Sequence, residues 1–237
     1  MNELKTNRIG EIARTIAGDP TSKIARSALE LLDGERVSSL PSIVSSFEVK
    51  RQAINADPEL SAVGKRERTR AAASAGLSNV AVLAKQVVAL EAEHQSNRNA
   101  AIARAAPPVS DAPQTLVDLA LAAMVRAENP VATKLVMASE RVRQAVARLP
   151  RELSGITEEA HARIVGTFID PADAAALAEE AKALPAVREA IQHGITELAR
   201  DAQWEPRQLV QGFGRAWKLP GLTDALAELM EAESAAA

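Results

Sequence analysis

Twelve prolines divide this chain, and nearly all stand where a helix would begin. Proline suits the first helical turn, where its missing N–H needs no partner. Asp19-Pro20, Asp57-Pro58, Asn129-Pro130 and Asp170-Pro171 each join a side chain able to cap a helix to such a proline. Ser39-Leu40-Pro41 and Asp111-Ala112-Pro113 are looser versions. This punctuation predicts helices over 3–17, 20–33, 41–56, 60–105, 113–128, 130–148, 157–169, 171–184, 186–202, 206–217 and 221–234. No segment sustains a period-two pattern of β-branched residues, so the expected fold class is all-α.

Composition agrees. Alanine supplies 49 of the 237 residues, whereas aromatics are three Phe and two Trp, with no Tyr. Small residues let helices pack closely, and a sheet protein would draw instead on Val, Tyr and Thr. With no cysteine, disulfides, thiolate metal sites and cysteine nucleophiles are excluded. No run of about 18 consecutive apolar residues occurs, so no membrane span is expected. The opening MNELKTNRIGEIAR lacks an apolar signal core and reads as an amphipathic helix. A soluble protein made in the cytoplasm is the expectation.

Residues 41–105 read as a long unequal helical hairpin turning at Asp57-Pro58-Glu59-Leu60-Ser61. The first arm aligns Ile43, Val44, Phe47 and Ile54. The second carries Leu77, Val80, Leu83, Val87 and Leu90, followed by His94, in steps of three, three, four, three and four. That is a coiled-coil seam. The arms would measure about 24 and 70 Å, so the short one cannot cover the long one. The seam is therefore expected to meet another part of the chain or, as the preferred reading, another copy, which makes the protein a homo-oligomer. Ala71 to Gly76 is a run of small residues that suits either close packing or a kink. Lys65, Arg66, Arg68 and Arg70 form a basic collar, a solvated surface or a contact for phosphate or an acidic partner.

Pro107-Pro108 cannot continue a helix, which places a linker at 105–113. The expected division is thus 1–104, N-terminal helices and extended hairpin, and 114–237, a bundle of short helices. Four of the five aromatics fall in the bundle, and Phe213 and Trp217, four apart, suggest a shared core. Pro150, Pro185 and Pro220 are spaced by 35, as are Pro171 and Pro206. This spacing is compatible with helical-hairpin repeats or with independent use of proline at helix starts.

Chemistry is sparse. No phosphate-binding loop or nucleophile elbow is found. Glu91 and His94, and Glu158 and His161, have the spacing used in di-iron bundles, and Glu189 and His193, four apart, add a third carboxylate–imidazole pair. Such pairs also arise readily among 31 acidic residues, and no metal, cofactor or catalytic residue is expected. Residues 34–107 carry net charge +3 and residues 157–237 net −7. The acidic part makes nucleic acid an unlikely main partner, and the opposite signs could steer head-to-tail association.

The stretch Ile54-Asn55-Ala56-Asp57-Pro58-Glu59-Leu60-Ser61-Ala62-Val63-Gly64-Lys65, with its following charged helix, resembles a helix–turn–helix phrase of small bacteriophage proteins. Many of those belong to virion morphogenesis sets. The resemblance implies a non-catalytic role in a virion or its assembly in the host cytoplasm, with other virion proteins as partners. The alternative is a cytoplasmic helical-repeat adaptor that binds a protein partner.

Overall fold

The computed structural model describes residues 20–105, 111–127, 139–214 and 216–217. These form helices α1 (Lys23–Glu30), α2 (Leu40–Ala56), α3 (Ala62–Ala105), α4 (Ala112–Ala127), α5 (Glu140–Arg148), α6 (Arg151–Ser154), α7 (Glu158–Gly166), α8 (Pro171–Ala202) and α9 (Pro206–Phe213). No strand occurs among the described residues, so the all-α expectation holds. The helices expected at 3–17 and 221–234, and the start of that at 130–148, lie outside the described residues.

Several helix starts follow the expected chemistry. Ser39 caps α2 by accepting from the Ser42 N–H, and Pro41 sits in its first turn. Asp170 accepts from the Ala172 N–H ahead of α8. Two starts differ. Asp57 shapes the turn after α2 by accepting from the Glu59 N–H, and it is Ser61 that accepts from Gly64 at the head of α3. Helix α1 is capped by Ser22, three residues past the expected Asp19.

The chain divides into two units. The first holds residues 1–93 and 179–237, and the second 94–178. The division thus falls inside α3 and inside α8. It corrects the expected boundary at 105–113, of which 106–110 lie outside the described residues. Helix α3 ends at Ala105 and α4 begins at Ala112, and the chain on both sides of 105–113 belongs to the second unit. Counted by unit, the charges are −3 and zero. The acidic C-terminal stretch therefore shares a unit with most of the basic middle, and ion pairs such as Arg188–Glu91 and Arg51–Asp201 join them. Head-to-tail steering loses its basis.

In the first unit, α3 runs unbroken through Gly76. Leu77, Val80, Leu83 and Val87 are buried and Leu90 is partly buried, in one core with Leu184, Val187, Ile191, Ile195 and Leu198 of α8. This corrects the seam's expected role. Helix α8 returns to cover it, together with α1 and α2, and no copy of the chain is needed. Close packing is built in by glycine. A Cβ on Gly76 would lie 3.3 Å from the Leu198 methyls, and one on Gly194 would lie 2.8 Å from Leu40 Cδ1.

Helix α8 passes through Pro185, which was expected to separate two helices. Pro185 is exposed while Leu184 and Val187 beside it are buried, so packing on one face holds the helix across the lost hydrogen bond on the other. With Pro185 inside a helix, Pro171 and Pro206 opening helices of 32 and 8 residues, and Pro150 preceding a four-residue turn, the 35-residue spacing marks no common unit. The repeat reading is thereby corrected. Helix α9 stops at Phe213, with Gly214 at φ 72°. Phe213 and Trp217 do share the core, though not one helix.

In the second unit, α4, α5 and α7 surround Val125, Val146, Ile156, Ile164 and Val165, with Ile102 from the end of α3 packed against them. The reversal between α6 and α7 uses Gly155 at φ 68°, a conformation open to glycine, and Arg126 of α4 lies against it.

By length and composition α3 is also apolar enough to cross a membrane, with an 18-residue window of mean hydropathy 1.4. The absence of a long uninterrupted apolar run therefore does not decide against a span.

Candidate functional site

Three places concentrate chemistry or exposed apolar surface. The first lies where α2 meets α8. His193, Glu197 and Asp201 recur at four-residue steps along α8 and face Glu48 of α2. Arg51 sits between them. Its guanidinium reaches Asp201 at 3.1 Å and Glu48 at 2.9 Å, and lies 5.8 Å from the Phe47 ring centroid. The cavity these groups leave is about 20 Å³, room for roughly one water. The cation is already supplied by Arg51. The cluster is an ion-pair knot that ties α2 to α8.

The second is a cleft of about 390 Å³ between α1, the turn after it, and α3. Leu31, Ala89 and Leu90 form its apolar floor, and Glu30, Arg36 and Glu93 its rim. Arg36 is held by Glu30 at 2.9 Å. The volume suits a small group or a side chain.

The third is the outward face of α4. This helix is turned the wrong way for a simple amphipathic element. Asp118 points inward and is 2% exposed, while Leu116 and Met124 are 67% and 57% exposed. Leu119 is also exposed, as are Ala112, Pro113, Ala120, Ala123 and Ala127. Burying one leucine contributes about 1.5–3 kcal/mol, so half a turn of rotation would favour α4 on apolar grounds. What holds the observed orientation is polar. Asp118 accepts from Gln114 Nε2 at 2.8 Å and lies 3.6 Å from an Arg148 nitrogen of α5. Val125 and Ala122 fill the same inner side. Arg126, seven residues after Leu119, is the charged residue exposed beside this face, and its stem lies against Gly155.

The residues singled out by sequence fare differently. The seam Leu77, Val80, Leu83, Val87 and Leu90 is interior, as described. Within the collar, Lys65 donates from Nζ to the Asn55 carbonyl at 2.7 Å, satisfying the end of α2 across the turn. Arg66, Arg68 and Arg70 are exposed. Glu91 is engaged by Arg188, whose Nη1 donates to both carboxylate oxygens at 2.8 and 2.7 Å. The same guanidinium stacks 4.8 Å from the Trp217 ring centroid and donates to the Ala216 carbonyl. Glu158 pairs with Arg151 at 3.5 Å on the surface, and the buried Nε2 of His161 makes no hydrogen bond. Among the described residues no three His, Asp or Glu side chains are grouped to hold a metal.

One acidic pair escaped the sequence reading. Glu179 of α8 accepts from the Ser22 N–H at 2.8 Å and from the Thr21 hydroxyl, while Glu180 beside it accepts from the Ser22 hydroxyl at 2.6 Å. The Ser22 N–H above all holds the Glu179 carboxyl below its ordinary range; burial opposes it, and the Thr21 hydroxyl adds a smaller lowering. These bonds dock the start of α1 on α8. The α4 face was missed for a different reason. Residues 112–127 are apolar on nearly every side, and only the Asp118–Arg148 pairing, 30 positions apart, says which side turns in.

No protein-family model matches the chain, no curated protein matches it, and no solved structure matches it.

Proposed function

We propose that this chain is a non-catalytic structural protein of a bacteriophage particle or its assembly, working in the virion or in the host cytoplasm through helix packing. Its support is the outward face of α4, where Leu116, Leu119 and Met124 stand in water beside alanines while an aspartate takes the inner position. Contiguous exposed apolar surface of this kind marks an interaction site. The phage setting draws on the likeness of residues 54–65 to a phrase of virion morphogenesis proteins. The cleft beside α1 favours a second reading, an adaptor that grips a partner's side chain.

Fractionation of the producing cells tests the proposal. The chain is expected to sediment with a large protein assembly, and a Leu116→Ser, Leu119→Ser, Met124→Ser variant to move to the slowly sedimenting pool. If parent and variant are both found only as free chains, the packing role fails. Retention of the variant in the assembly would shift the role to another surface.

A further inference from the structure

A groove of about 250 Å³ lies between α2 and α3 of the first unit. The small residues of α3 leave room for it, since Ala72 and Ala75 put only methyls on that wall. Ile43 and Phe47 of α2 form its apolar floor. Val37, ahead of α2, also lines it and is 91% exposed. Polar groups follow along α2 at four-residue steps, Ser42, Ser46 and Lys50, and Asn79 lines the groove from α3. Neither hydroxyl, nor the Asn79 amide, nor the Lys50 ammonium has a hydrogen-bond or ion-pair partner among the described residues.

Among the described residues, Lys50 alone brings charge to the lining. No acid stands three or four positions from it on α2. Arg68 of the basic collar lies four residues before Ala72 and extends the same wall of α3 by one turn, again with no acid three or four positions away. Glu67 is about 100° round the helix from Arg68. Glu48 is already engaged by Arg51. The groove thus has an apolar end at Val37 and a positive end at Lys50. The eight helical steps from Ser42 to Lys50 set its length at about 12 Å.

We propose that this groove binds a short extended peptide segment of a partner protein, with an apolar side chain against Val37 and Ile43 and a carboxylate on Lys50. Four extended residues reach about 13 Å, which matches the groove. An alkyl carboxylate would suit the two ends, but it would strand the two hydroxyls and the amide between them. Peptide N–H and C=O groups answer all three. The site is separate from the α4 face, so either can fail without the other.

NMR titration of the full-length chain with the peptide acetyl-Leu-Ser-Ser-Glu-amide tests the proposal. The amide signals of residues 42–50 and 72–79 are expected to move and to saturate, with a dissociation constant on the order of 1 mM. The glutamine counterpart should bind about two- to fivefold more weakly, the worth of one exposed ion pair. Lys50→Glu with Arg68→Glu should invert the preference, toward the counterpart ending in lysine. Both positions are exposed, and unchanged tryptophan emission reports that the variant keeps its fold. If that emission changes, Lys50→Gln with Arg68→Gln is read instead and should erase the preference for glutamate. A preference for glutamate that survives the substitutions overturns the proposal. So does equal binding of the glutamate and glutamine peptides by the parent, movement confined to other signals, or none up to about 10 mM, ten times the expected constant. Octanoate binding more tightly than the peptide would also overturn it, in favour of an alkyl carboxylate.

Discussion

The two units treat their apolar residues in opposite ways. In the first, a stripe that reads as exposed from sequence is buried, and Gly76 and Gly194 allow the close approach of Leu198 and Leu40 in the same core. In the second, α4 buries an aspartate and holds Leu116 and Met124 in water. An apolar stripe therefore says that something must cover it, not what. In α3 the cover is α8 of the same chain. In α4 no described element of the chain supplies it.

The contrast can be tested unit by unit, because both tryptophans lie in the first unit, Trp204 bonded to Ser74 and Trp217 stacked on Arg188. Their fluorescence follows that unit alone, while circular dichroism follows both. The largest effect is expected from Leu83→Asp with Val87→Asp. Two unpaired carboxylates in the core should cost more than about 5 kcal/mol and unfold the first unit. Tryptophan emission should shift to that of exposed indole. Retained native emission would put the seam back on the surface. The mirror substitution, Asp118→Leu, places a leucine where the second unit holds a carboxylate. Arg148 is one-quarter exposed and can turn to water, so the change should stay within about 1.5 kcal/mol by denaturant melts followed by circular dichroism.

A middling effect belongs to the glycine contacts. Gly194→Ala should cost about 1–3 kcal/mol, because the new methyl meets Leu40. In a Leu40→Ala background the same change should be neutral or gain up to about 1 kcal/mol from better helix propensity. Equal costs in both backgrounds would show that the contact does not limit packing.

Acid should act on the first unit through α1. The Glu179 carboxyl is held below its ordinary range, so its contribution is present at neutral pH and above. It is lost as pH falls below the ordinary glutamate range and through the lowered value. The tryptophan-detected melting temperature should fall on acidification, and Glu179→Gln should flatten that fall. An unchanged slope in the variant would assign the acid sensitivity elsewhere. The smallest effect is expected from Leu116→Ser with Met124→Ser, within about 0.5 kcal/mol, since neither side chain is buried in the single chain. A loss of several kcal/mol would mean that the α4 face is covered within one copy.

Much of the helix map was legible because capping and proline placement are local chemistry. Ser39 with Pro41 and Asp170 with Pro171 set their helix starts within three residues. Pro185 was misread for the same reason. Its local cost is overruled by burial of Leu184 and Val187 against chain about 100 positions away, information that no window around residue 185 contains. The seam's periodicity was visible and its cover was not, since Gly76 and Leu198 meet across 122 positions. The collar was visible as charge, but Lys65 belongs to the turn, a role set by where Asn55 comes to lie. The α4 face depends on one buried ion pair, and a single aspartate in an apolar helix does not announce its partner.

The contact of Gly194 with Leu40 has a consequence for descent. Two positions 154 apart share one small volume, so neither can drift alone. In diverged descendants of this chain, an alanine or serine at 194 should be inherited with valine or alanine at 40, and leucine at 40 with glycine at 194. Gly76 and Leu198 should form a second such pair, with a weaker bond because their clearance is half an ångström wider. Aligned across a lineage, the two pairs would leave a record of how α2 and α3 stayed seated on α8 while the surface around them changed.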